Sequence, residues 1–104
     1  MSTSVNKFDV IEKLIYEEGI RIDAVDLHPE LDVMLVILNT KAVLRQKISS
    51  YKLLKSASKD SLLKFEITEN GTGICWPLLD ENLSLKGFLR DELLHVVKKD
   101  ELAA

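Results

Sequence analysis

The stretch Leu31-Asp32-Val33-Met34-Leu35-Val36-Ile37-Leu38 decides how this chain is read. Seven of its eight residues are apolar, and its branched Val and Ile favour extended backbone. Odd and even positions are both apolar, so a strand here calls for cover on both faces. Before it, His28-Pro29-Glu30 turns the chain, because Pro29 fixes its φ and has no N–H to give a ladder. After it, Asn39-Thr40-Lys41 turns the chain without the glycine of the commonest tight hairpins. Upstream, Ile20, Ile22 and Ala24 alternate with Arg21 and Asp23, and the phase then slips to Val25 and Leu27, as at a bulge. Downstream, Ala42, Leu44 and Ile48 alternate with Arg45 and Lys47. The spacing predicts a three-stranded antiparallel meander over 20–48.

Helical patterns flank it. Phe8, Ile11, Leu14 and Ile15 share one face of a helix over Lys7 to Glu18, with Ser4 or Asn6 as cap and Gly19 at the left-handed stop. Ser50 is placed to cap a short helical piece from Tyr51 to Ala57, and Ser58 to start a turn leading to Leu62. Phe65 and Ile67 mark a short strand, Asn70-Gly71 the best hairpin signal in the chain, and Thr72 to Trp76 the returning strand, which Pro77 stops. Ser84 then caps a long helix whose face is Leu85, Phe88, Leu89, Leu93, Val96 and Val97. Asp80 and Glu81 before it, and Lys98 and Lys99 at its end, suit the helix dipole. The sum is an α+β fold, a small antiparallel sheet of meander plus hairpin with an N-terminal and a long C-terminal helix packed on it. One domain is expected over 1–104, with 1–19 a helical extension, 20–94 the core and 95–104 the helix end and tail. One helix is expected on each face of 31–38. A homodimer would cover the second face equally well, and the sequence leaves both open.

The chain has 104 residues, 46% hydrophobic and 30% charged, with four Gly and two Pro, which fits a globular protein and excludes collagen-like or low-complexity sequence. The formal charge of −3 argues against a general DNA binder. That charge is uneven. Residues 1–40 carry three basic and eight acidic groups, a net −5, and residues 65–104 four and eight, a net −4. Between them Lys41, Arg45, Lys47, Lys52, Lys55, Lys59 and Lys64 face Asp60 alone, a net +6. This basic middle reads either as a docking patch for an acidic partner or phosphates, or as the complement of the acidic ends folded over it. One cysteine, Cys75, allows no internal disulfide, and two isolated His give no zinc spacing, so neither metal nor cofactor is expected. A chain without disulfides suits the reducing cytoplasm. No apolar run approaches the roughly 20 residues that span a bilayer, and no membrane role is expected.

Three features bear on chemistry. Asp80-Glu81-Asn82 offers oxygen ligands or a carboxylate pair but lacks the spacing of a calcium loop, and helix-dipole complementation accounts for it. Cys75 becomes a nucleophile only beside a base, whereas a buried structural thiol is the usual state in a strand. Trp76 is a core or interface anchor, and the reading leans to the core or its edge. Gly71-Thr72-Gly73 precedes a strand, not a helix, and so makes no phosphate loop. No catalytic residues follow from this pattern.

The run Gly71-Thr72-Gly73-Ile74-Cys75-Trp76-Pro77-Leu78-Leu79-Asp80-Glu81-Asn82-Leu83-Ser84-Leu85-Lys86-Gly87-Phe88-Leu89 resembles, without a gap, the G-x-G-I-H-W-P-x-L-D-E-D-L-S-V-x-x-L-L pattern of the bacterial domain-of-unknown-function family 2442. With the meander and Tyr51 the resemblance spans about 20–94. Cys75 stands where many members have His, and Asn82 replaces an acidic residue, so a site built on that His would be missing here. The resemblance implies a small α+β domain of no established activity, found also as the N-terminal part of some helix-turn-helix regulators. It further implies a gene neighbour in pairs resembling toxin–antitoxin modules.

The functional expectation is therefore a cytoplasmic, non-enzymatic interaction or regulatory module, antitoxin-like, docking a protein partner such as a neighbouring-gene product. The expected contact surface is Arg45, Lys47, Tyr51, Lys52 and Lys55, with Trp76 at its rim. The alternative is a nucleic-acid accessory protein binding through 41–64, and a small enzyme comes third.

Overall fold

Two three-stranded antiparallel sheets carry the fold. The computed structural model describes the backbone of residues 7–103 and the side chains of residues 10–95. Helix α1 (Lys7–Tyr16) leads into sheet A, made of β1 (Ile22–His28), β2 (Val33–Leu38) and β3 (Val43–Gln46). Two short helices, α2 (Lys52–Lys55) and α3 (Lys59–Leu63), cross to sheet B, made of β4 (Glu66–Thr68), β5 (Gly73–Trp76) and β6 (Glu81–Ser84). Helix α4 (Leu85–Ala103) follows β6 directly. The caps expected at Ser4 or Asn6, and the side chains of Phe8, Val96, Val97, Lys98 and Lys99, lie outside the described residues.

Local chemistry explains the joints. Gly19 takes φ +73 just past α1, the left-handed stop that a residue without Cβ adopts freely. Arg21 Nη1 then donates to the carbonyls of Ile15 at 2.6 Å and Ile20 at 2.8 Å, satisfying the helix end. Asn39, in the β2–β3 turn, accepts from the Arg21 N–H at 3.0 Å and donates to the Gly19 carbonyl at 2.9 Å. The phase slip in β1 is a bulge at Asp23, since Ile22 pairs with Leu38 but Ala24 with Ile37. Ser84 Oγ accepts from the Gly87 N–H at 3.0 Å and Ser58 Oγ from the Ser61 N–H at 3.2 Å, as their capping positions require. Ser50 caps nothing: it closes a 3-10 turn, Ile48–Ser50, and Tyr51 precedes α2 without a side-chain cap.

Two expectations are corrected. First, α1 and α4 pack on each other instead of on opposite faces of β2, with Lys86 Nζ 3.4 Å from Glu12 Oε2. Ile11, Ile15, Leu85 and Phe88 join Met34, Val36 and Leu38 in one buried cluster that also takes in Leu54, Leu62, Ile74 and Trp76. Only the even side of β2 is sealed, while Val33, Leu35 and Ile37 stay half-buried. Second, Glu81–Ser84 is a strand and not a charged lead-in to α4. It pairs along β5 from Gly73↔Ser84 to Trp76↔Glu81, so backbone ladder bonds hold a segment with a single apolar side chain, Leu83.

Candidate functional site

The residues of the basic segment with something to bind gather at the open edge of sheet A. Alternation along β3 sends Arg45 to the outer face, opposite Leu35, and Gln46 to the core side, opposite Met34. Tyr51 is half-buried beyond it and donates its hydroxyl to Gln46 Oε1 at 2.5 Å. Burial pushes the Tyr51 phenol up to about 12, with the charges of Asp91 and Glu81 adding to the effect, so it keeps its proton and its donor role. Asp32 sits in the left-handed region at φ 55 just before β2. Its carboxylate accepts from the Ser49 N–H at 2.8 Å and the Ser49 hydroxyl at 2.6 Å. These bonds, with Lys47 and Lys55 nearby, hold its pKa below the ordinary 3.8.

Arg45, Lys47 and Tyr51 line one open cleft of about 880 Å³, shared with Leu31, Asp32 and Val33 on one side and Asp91, Glu92 and His95 of α4 on the other. The lining is of mixed sign. Lys52 and Lys55, both exposed on α2, lie outside the cleft lining, and of the two only Lys55 acts on Asp32. Trp76 is corrected outright as a contact residue. It is 0% exposed, its ring 6.2 Å from that of Phe65 and its Nε1 donating to the Leu62 carbonyl at 2.9 Å. It anchors the core beneath α3. An acidic end lying against the basic segment was one of the two readings left open, but not which carboxylates form the wall, because Asp91 and Glu92 lie more than forty residues along the chain from Arg45 and Lys47.

The remaining chemistry-bearing residues stay apart. Asp80 occupies a turn at φ 52, and Glu81 and Asn82, adjacent in β6, point to opposite faces of sheet B. Cys75 is half-buried on the outer face of sheet B, between Glu66 and Asn82. His28 belongs to sheet A, where Nε2 lies 2.9 Å from Asp26 Oδ2 and Nδ1 3.6 Å from Glu30. The Asp26 hydrogen bond and charge raise its pKa above 6.5. Among the described residues no group of three or more His, Cys, Asp or Glu is placed to hold a metal ion. Likewise, no described helix is long and apolar enough to cross a membrane.

The outer face of sheet A is the other feature of note. Its cross-strand rows are Ala24–Ile37–Val43, Asp26–Leu35–Arg45 and His28–Val33. Val43 is 53% exposed and Leu31, at the border, 68%. The period-two pattern of the sequence held this signal, since every odd position of β2 is apolar.

Meander, helical crossing, second meander and C-terminal helix define a small α+β domain with an open cleft. The chain belongs to the protein family of unknown function DUF2442, whose model matches residues 22–92. A protein of unknown function from Rhodospirillum rubrum has a similar crystal structure, with TM-score 0.63 and 26% identity over 70% of this chain and 88% of that one. An uncharacterised protein from Chromobacterium violaceum, solved by NMR in solution, matches with TM-score 0.63 and 26% identity over 86% of this chain and 85% of that one. No curated protein matches the chain.

Proposed function

We propose that this chain is a cytoplasmic protein-docking module, antitoxin-like in its use, which binds a protein partner through the cleft at the β3 edge. One observation carries the reading: Arg45, Lys47 and Tyr51 converge with Asp32, Asp91 and Glu92 around one open cleft. A lining that holds both cations and carboxylates suits the mixed charges and peptide groups of another protein. They suit a nucleic-acid backbone poorly, because the acidic wall repels phosphates. Tyr51 contributes a rigid aromatic edge whose orientation its bond to Gln46 fixes.

The test is binding kinetics with the product of the adjacent gene. Lys47→Glu with Lys55→Glu reverses the two cations nearest Asp32, and the association rate is expected to fall several-fold at about 0.01 M salt and much less at about 1 M. Unchanged kinetics remove the cleft from the reading. A retarded duplex or single strand in a gel, with affinity falling steeply with salt, supports the nucleic-acid alternative instead.

A further inference from the structure

We propose that the outer face of sheet A seats a second copy of this chain, packed face to face about a two-fold axis running along β2. The middle row of that face places Asp26 and Arg45 on either side of Leu35. A two-fold axis along β2 exchanges the β1 side with the β3 side. It therefore sets Asp26 over the partner's Arg45 and Arg45 over the partner's Asp26, with Leu35 on the partner's Leu35 between them. The same operation lays the short Ala24 over the partner's Val43. An axis running across the strands would instead put Asp26 on the partner's Asp26, so the charges select one orientation. A patch carrying opposite charges at equal distance from its centre is self-complementary, which is what an isologous contact requires.

Geometry permits the contact. Packed sheets lie about 10 Å apart with strands inclined by about 30°, a gap that an aspartate and an extended arginine span together. His28 occupies Asp26 Oδ2 at 2.9 Å, and the second carboxylate oxygen, Oδ1, is the acceptor for the partner's Arg45. Sheet B makes the contrast. Its outer rows, Glu66–Cys75–Asn82 and Thr68–Gly73–Ser84, are polar, so sheet A alone offers an apolar face that a further layer would cover. The pairing goes beyond the cleft reading and meets it at Arg45 and Val33, which line the cleft as well as the outer face, while Lys47, Gln46, Tyr51 and the α4 carboxylates belong to the cleft alone.

Sedimentation equilibrium of the full chain at low salt tests this with a charge swap. Wild type is expected to dimerise. Asp26→Arg or Arg45→Asp alone sets like charges together twice and should raise the dimer Kd at least about tenfold. The double variant restores both pairs and should return Kd to near the wild-type value, which an unrelated partner cannot reproduce. Leu35→Asp should give a monomer with unchanged far-UV circular dichroism. A wild type that stays monomeric overturns the proposal, as does a double variant as weak as the singles, or a dimer indifferent to all of them. A monomer that still binds its partner through Lys47 and Lys55 removes the dimer and leaves the cleft reading standing.

Discussion

Gly71→Ala, set against Gly19→Ala, separates two costs that one substitution alone would mix. Both glycines have positive φ, +87 and +73. For alanine this left-handed backbone costs roughly 1–2 kcal/mol at either site. The surroundings differ. A Cβ on Gly19 meets nothing within 4 Å, whereas one on Gly71 lies 3.0 Å from Arg21 Cβ and 3.2 Å from the Ile22 carbonyl oxygen. Those atoms belong to the start of sheet A, so the β4–β5 turn of sheet B rests directly on it. Neither a strand carbonyl nor a Cβ can swing aside, and overpacking of this kind costs about 1–3 kcal/mol more. The totals are about 2–5 kcal/mol for Gly71→Ala and about 1–2 for Gly19→Ala. With a urea m-value of about 1–3 kcal/mol/M, the two midpoints should differ by on the order of 1 M. Equal midpoints in urea unfolding would refute the close seating of the two sheets.

Trp76→Phe removes the donor to the buried Leu62 carbonyl and leaves a gap where the second ring was. It should destabilise by about 2–4 kcal/mol in the same assay while leaving partner binding intact, whereas selective loss of binding would place Trp76 at an interface after all. Acid should weaken the β1–β2 turn through Asp32. Its depressed pKa means the contribution is present above 3.8 and is lost as pH falls through its lower folded value. Asp32→Asn should therefore flatten the acid limb of a stability–pH curve, and an unchanged limb contradicts the Ser49 bonds. His28 acts in the opposite sense. With its pKa raised, its contribution is complete below 6.5 and is lost as pH rises through the folded value, so NMR titration of the ring should give a midpoint above 6.5 that falls in Asp26→Asn.

Much of this architecture was legible in local pattern. The bulge showed as a phase slip, the end of α1 as Gly19, the caps as Ser58 and Ser84, and the family as the run from Gly71 to Leu89. What escaped depended on distance or on burial by neighbours. Strand β6 has one apolar side chain and is held by the ladder to β5, which no side-chain period reports. The apolar odd positions of β2 argued for a helix on each face, yet a central strand gains partial shelter from the side chains of β1 and β3 alone. Both helices are thus free to share the even side. The positive charge of the 41–64 segment was plain, and cover by an acidic end was one of its two readings, but which carboxylates reach it is set only by the tertiary fold.

One-sided burial of β2 is the central claim about this fold and the one on which the face-to-face pairing rests, and thiol alkylation tests it directly. In a Cys75→Ser background and dilute protein, Leu35→Cys should react with a maleimide in the native state. Val36→Cys, at a site 0% exposed, should react only as the whole domain unfolds. Equal protection at both positions, or a thiol at 36 reacting as fast as one at 35, would contradict it.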